Sequence, residues 1–177
     1  MKALIVVGHP DLSGSIINRH WVDALRRHDE LCDVHVLADE YPDGRIDAAR
    51  ERGIVDAHDV LVLQFPVYWF NCPPVVKQWL DEVLTDGWAY GAGGNALQGK
   101  PVALAVSAGI AQSDYSPQGR YGHSLQELLT PFETTFSYCH ADYRSFFALY
   151  GAEHDPSEDE VARNAEEYVG FVKDLLR

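Results

Sequence analysis

The sequence predicts an α/β fold in which helices flank both faces of one doubly wound, five-stranded parallel sheet of order 2-1-3-4-5. Three observations lead there. Short apolar runs alternate with segments of helical period, the pattern of βαβ units. The runs Ala3–Val7, Val60–Phe65 and Pro101–Val106 are apolar almost throughout rather than at every second residue, as strands buried on both faces are. The strands number about five, short of the six of a full dinucleotide fold, which selects the smaller of the two common doubly wound orders.

Each element has a local reason. Ala3–Val7 is rich in β-branched residues and opens the sheet. The loop from Gly8 to Gly14 leads to a helix from about Ser15, with Ile17, Trp21 and Leu25 forming an apolar stripe at i, i+4 and i+8. Val34 to Leu37 is the second strand, and Asp39 to Gly44 is a polar turn. Arg45 to Ala57 is a charged outer helix, and Val60–Phe65 is the third strand. Pro73 and Pro74 suit a first helical turn, where a missing N–H costs nothing. Val75, Val76, Trp79, Leu80, Val83 and Leu84 then repeat with helical period. Asp86 to Gly99 is an irregular excursion carrying Trp88 and Tyr90. Pro101–Val106 is the fourth strand, and Ser107 to His123 is a long loop rich in Gly and Ser. A helix is expected over Ser124 to Thr134. The stretch Phe132 to His140 has no clear periodicity, and Ser145 to Tyr150 is the fifth strand. Ser157 and Glu160 have the spacing of a capping box for the last helix.

With 177 residues, 46% of them hydrophobic, the chain has the material for a single domain spanning 1–177. A net charge of −13 disfavours nucleic acid and anionic membrane surfaces as partners. The three cysteines, Cys32, Cys72 and Cys139, lack the Cys-x-x-Cys spacing of zinc or dithiol sites and read as reduced thiols. No run reaches the ~20 apolar residues of a membrane helix, and the start is too short for a signal peptide, so a cytoplasmic protein is expected. No metal site is expected, since the eight histidines show no ligand spacing. Ser107 lacks the Gly-x-Ser-x-Gly elbow of a hydrolase.

In the order 2-1-3-4-5 the first, third and fourth strands are neighbours, so the loops at their carboxyl ends meet in one crevice, where open α/β sheets bind ligands. The first loop contains His9 and ends at a helix N-terminus, a place for an anion, with Ser13, Ser15 and Asn18 as side-chain donors. No Gly-x-Gly-x-x-Gly or Walker sequence is present, so a mononucleotide phosphate fits better than a dinucleotide or triphosphate. The second loop, Pro66-Val67-Tyr68-Trp69-Phe70, is aromatic where a loop should be polar unless something flat covers it; a flavin ring is the working hypothesis, its polar edge held by backbone N–H groups of Val67 to Phe70. The third begins Ser107-Ala108-Gly109-Ile110, small enough to let backbone approach a ligand, and carries Tyr115 and Tyr121 as donors.

Together these loops resemble those of the flavodoxin-like NAD(P)H:quinone oxidoreductase family. The similarity is strongest to its small bacterial branch, which includes the potassium-efflux ancillary oxidoreductases and the modulator-of-drug-activity proteins. The most specific stretch runs from Ala57-His58-Asp59 through Gln64-Phe65-Pro66-Val67-Tyr68-Trp69-Phe70 to Pro73-Pro74, followed by Lys77, Trp79 and Asp81 in the family's spacing. The resemblance implies bound FMN, favoured over FAD because the carboxy-terminal extension of larger members is lacking. It also implies two-electron, ping-pong hydride transfer from NADPH or NADH to a quinone-like acceptor. His9, Ser15 and Asn18, with the N–H groups of Ile16 and Ile17, match the positions that hold the flavin phosphate and ribityl chain. Pro66, Val67, Tyr68, Trp69 and Phe70 match the isoalloxazine loop, and Ser107, Ala108, Gly109 and Ile110 match a segment usually written Thr-Thr-Gly-Gly. Tyr115 matches the catalytic tyrosine credited with proton relay or charge stabilisation. Two departures stand out: Ile110 replaces a glycine, and Tyr121 stands where larger members carry a histidine. The resemblance further implies a homodimer with the site between subunits, Trp88 and Tyr90 helping to build the partner's site; Phe146, Phe147 and Tyr150 are the surplus aromatics for such an interface. Two alternatives remain at this stage: a regulatory FMN-binding subunit of a potassium-efflux transporter in the membrane, and a flavodoxin-type electron carrier.

Overall fold

The computed structural model describes residues 1–177. Five strands form one parallel sheet in the order β2-β1-β3-β4-β5: β1 Ala3–Val7, β2 Cys32–Val36, β3 Val60–Pro66, β4 Pro101–Ser107 and β5 Asp142–Leu149. The expected topology is the one observed. Side chains of β3 alternate between faces, as the pleat requires. Leu61, Leu63 and Phe65 point into one apolar core, and Val60 and Val62 point into the other.

Two helices, α1 (Ile17–Leu25) and α7 (Glu158–Leu175), cover the second face. Their seam is closed by Trp21, whose ring meets Tyr168 at 5.1 Å and Phe147 at 5.5 Å, and whose indole N–H donates to Asn164 (2.9 Å). On the first face lie α2 (Leu37–Glu40), α3 (Ala48–Asp56), α4 (Pro74–Val83), α5 (Leu125–Leu128) and α6 (Thr130–Tyr138). The periodic residues Val76, Trp79, Leu80 and Val83 are the buried stripe of α4.

Several boundaries differ from expectation for identifiable reasons. The single helix expected over Ser124–Thr134 is two, because Pro131 has no N–H to continue the ladder from α5. The unassigned stretch after it is α6. Strand β5 begins at Asp142, not Ser145: it is an edge strand, and Asp142 with Arg144, joined by an ion pair of 2.6 Å, hides it from an apolar-run criterion. The second strand likewise begins at Cys32 and ends at Val36, and α2 follows it directly. The charged helix starts at Ala48 because Asp47 caps it, accepting from the N–H groups of Ala49 and Arg50. Ser157 caps α7 by accepting from the Glu160 N–H, without the reciprocal bond of a full capping box.

Candidate active site

The carboxyl ends of β1, β3 and β4 are stitched together by polar contacts. Gly8 N–H donates to Gln64 O (2.8 Å), and Val67 N–H donates to Ser107 O (2.8 Å). Beneath them, Asn18 Nδ2 donates to Ser107 Oγ (2.9 Å), while Gln64 Nε2 donates to Asn18 O (3.1 Å) and Oδ1 (3.3 Å). Asn18 and Gln64 are 1% and 0% exposed. Asn18 therefore positions Ser107 and the first turn of α1, and it leaves the Ser107 hydroxyl proton free to donate elsewhere. Gln64, which the sequence reading left out of the site, is the hub of this contact; a buried glutamine inside an otherwise apolar strand was the available signal. Its Oε1 is buried without a partner, an acceptor left open beneath the crevice.

In the first loop, Asp11 N–H donates to His9 Nδ1 (3.1 Å), so His9 Nε2 carries the proton. Burial pushes the His9 imidazole below its ordinary value, and the ring is a neutral donor. Ser13 is not a free donor: its hydroxyl donates to Asp11 Oδ1 (2.7 Å), which also accepts from Gly14 N–H (3.1 Å). Ser15 Oγ accepts from Asn18 N–H (3.2 Å) and keeps its own proton. The N–H groups of Ile16 and Ile17 make no hydrogen bond to the chain, as expected for an anion-ready helix start. Arg19, one turn into α1, reaches back to Ser13 O (3.4 Å) and adds a cation beside this loop.

The aromatic loop is a two-residue hairpin. Tyr68 N–H donates to Asn71 O (2.9 Å) and Asn71 N–H to Tyr68 O (3.0 Å), with Trp69 at φ 51° and Phe70 at φ 61°. Positive φ at both central residues is the geometry of a type I′ turn, normally given to Asn-Gly. Two bulky residues held there cost of order 1 kcal/mol or more each, a kind of strain that concentrates at functional sites. This corrects the expectation for the backbone donors. Val67 and Tyr68 N–H groups are already used inside the chain, and those of Trp69 and Phe70 are the free ones. Pro66 ends β3 opposite Ser107.

Val67 and the three aromatics form one wall of a cavity of about 440 Å³; Gly109, Ile110, Tyr115 and Glu153 form the other. That volume lies within the range of small-molecule sites, roughly 300–1,000 Å³. Tyr115 is buried, and burial together with the nearby Tyr150 and Glu153 pushes its hydroxyl up to about 12. Ile110 sits against the apolar core, and its O accepts from Gly151 N–H (2.9 Å). Ala108 is fully buried. Tyr121 packs its ring on Phe70 at 5.1 Å, and the Arg120 guanidinium lies 5.5 Å from the centre of the Tyr121 ring.

Glu153 is the lining residue that sequence reasoning missed. It lies after β5, a strand whose neighbour β4 already supplies a loop to the crevice. The order 2-1-3-4-5 carried one strand further would have pointed there. Within the chain, the surplus aromatics have partners of their own: Phe147 packs against Trp21, Tyr168 and Phe171, Tyr150 against Tyr115, and Phe146 against the first core. Trp88 donates its indole N–H to Asp56 (3.3 Å), and Tyr90 meets Tyr138 at 5.2 Å, both within the same chain.

The profile of the flavodoxin-like fold family matches residues 1–171. This chain belongs to that family. Among curated relatives of this flavodoxin-like chain, the uncharacterized NAD(P)H oxidoreductase YrkL of Bacillus subtilis is 41% identical over 173 residues, covering 98% of each chain. The glutathione-regulated potassium-efflux system ancillary protein KefG of Cronobacter sakazakii is 34% identical, over 99% of this chain and 94% of the relative. Among solved structures, general stress protein 14 of Treponema denticola in complex with FMN superposes with a TM-score of 0.95 at 49% identity, over 99% of both chains. An NADPH-quinone reductase from P. pentosaceus superposes with a TM-score of 0.88 at 26% identity, over 97% of this chain and 98% of the other.

Proposed function

We propose that this flavodoxin-like chain is an FMN-dependent NAD(P)H oxidoreductase that reduces quinones or similar flat acceptors. The observation that carries the reading is the joining of an anion-ready helix start, an aromatic cavity and a buried tyrosine donor across three adjacent strand ends. The FMN-bound structure at 49% identity supports the choice of ligand, and the named oxidoreductases among the relatives support the activity.

The residues present fit FMN. The free N–H groups of Ile16 and Ile17, with Ser15 Oγ–H, His9 Nε2–H and the nearby Arg19, would hold its phosphate and ribityl chain. The free N–H groups of Trp69 and Phe70 would hold a polar edge of the ring. Gly109 and Ile110 would face the ring from the opposite wall. Bound FMN supplies the two-electron chemistry, taking hydride from NADPH or NADH and passing it to the acceptor. Tyr115 keeps its proton at neutral pH and serves as a hydrogen-bond donor to oxygen that gains charge. The apolar lining would shield the covered side of a bound ring from water.

Trp69, 95% exposed beside the cavity, with half-exposed Tyr68 and Phe70, supports a homodimer in which a second subunit covers this rim. Nicotinamide donors and three free thiols fit the cytoplasm. The KefG relative supports a second, compatible role as a partner of a potassium-efflux transporter. Steady-state kinetics with NADPH or NADH and a naphthoquinone test the reading. Parallel double-reciprocal lines are expected for the ping-pong route; FMN-loaded protein with no nucleotide oxidation would refute it.

A further inference from the structure

The cavity wall opposite the aromatic hairpin contains one acidic side chain, Glu153. Its backbone is pinned to the segment after β4: Glu153 N–H donates to Gly109 O (3.0 Å) and Ala152 N–H to Ala108 O (3.0 Å). Its carboxylate lies over Gly109, where a Cβ would stand 2.5 Å from Oε1. Gly109 thus has its bare Cα to make room for an acid, and the acid faces the space a ligand ring would enter. No lysine, arginine or histidine pairs with this carboxylate. Arg120, the cation carried on the third loop, is turned onto the Tyr121 ring instead. The remaining walls are apolar or carry neutral hydroxyls. A ligand with its own negative charge meets an uncompensated negative charge at short range in a partly desolvated cavity, where Coulomb repulsion exceeds its value in bulk water. The net charge of −13 acts in the same direction at longer range.

We propose that Glu153 sets the charge class of the acceptor, admitting uncharged or cationic aromatic rings and rejecting rings that carry a sulfonate or carboxylate. The proposal rests on the proposed function, in which the flavin ring enters this cavity and a flat acceptor stacks on it within reach of Glu153. Rejection here is by a repulsive element rather than by a better fit to the favoured partner.

The test compares FMN-loaded wild-type protein with Glu153→Gln and Glu153→Lys, using a neutral naphthoquinone and its sulfonate at one nucleotide concentration. The ratio of kcat/KM for the sulfonate to that for the neutral quinone cancels effects on the nucleotide half-reaction. At low ionic strength the ratio rises about five- to tenfold in Glu153→Gln and further in Glu153→Lys. In about 1 M salt, where the screening length falls to about 3 Å, the contribution of the net charge is lost and the three proteins keep the same order with smaller differences, because charges inside the cavity are screened less. Calorimetric titration of the oxidised proteins with the sulfonate shows the same order of affinities without turnover. An unchanged ratio and unchanged affinity in both variants, with FMN bound, overturns the role of Glu153. A wild-type protein that binds FMN yet never oxidises nucleotide refutes the catalytic reading instead, and the calorimetric order still decides the charge rule.

Discussion

Tyr115 is pushed up to about 12 by burial first and by the neighbouring Tyr150 and Glu153 next, so across the neutral range it donates a hydrogen bond and does not titrate. Tyr115→Phe removes that donor and is expected to lower kcat/KM by about three- to tenfold, the worth of one neutral hydrogen bond. The pH profile from about 6 to 9 keeps its shape in the variant; a lost limb in that range would mean that Tyr115 acts as an acid or base. This residue was legible from the sequence because its loop and its type both pointed to the crevice. Asn18 was legible only in part. Its place in the loop was readable, but its bond to Ser107 spans 89 positions and depends on the register of β3 and β4, which pairs Gln64 with Ala105 and Pro66 with Ser107. Glu153 was not legible, because nothing local distinguishes it from the other acids of a chain with 27 of them.

The hairpin Tyr68–Asn71 shows what an element adds to its residues. Aromatic composition predicted a covered loop, but the type I′ geometry and its strain follow from tertiary context, since Trp-Phe has no local preference for positive φ. Trp69→Asn places a residue suited to that conformation at a position with little packing to lose. It is expected to raise the stability of the isolated chain by about 0.5–1 kcal/mol in urea unfolding, while quinone turnover falls. Both changes in one variant mark strain kept for function; a destabilised variant would show that the Trp69 ring is already packed, for instance against a second copy. The helix divided at Pro131 and the polar edge strand β5 were harder to read for a shared reason. Each is stabilised by neighbours in the fold more than by its own periodicity.

Across the whole molecule, the outer elements are tied to the sheet by one buried acid. Glu51, fully buried, accepts from Tyr41 OH (2.6 Å) and Trp79 Nε1 (2.7 Å), and lies 2.8 Å from His35 Nε2, linking β2, α3 and α4. Burial alone would push this carboxyl up; the bonds from His35, Tyr41 and Trp79 outweigh it and hold it below the usual carboxylate value. Glu51→Ala leaves its partners unpaired and is expected to cost about 3–5 kcal/mol, measured by urea unfolding, without altering the distant cavity. At high pH the tyrosines decide. Tyr41, Tyr115 and Tyr143 are each pushed up to about 12 by burial, Tyr41 also by its bond to Glu51 and Tyr115 also by nearby charge, from an ordinary value of 10.0. The folded state holds these protons more tightly than the unfolded chain does. Their contribution is therefore complete below about pH 10 and lost as pH rises from 10 toward 12, which a thermal-midpoint series across that range would record. The sheet order was readable because it follows from alternation and strand count, whereas the Glu51 network required three elements to be placed first. The most direct test of the central claim is the flavin absorbance of the purified chain under anaerobic titration with NADPH and NADH. The purified protein is expected to be yellow, with a flavin band that bleaches with one of the nucleotides and returns when a quinone is added. A protein that carries FMN but stays yellow with both nucleotides would contradict it.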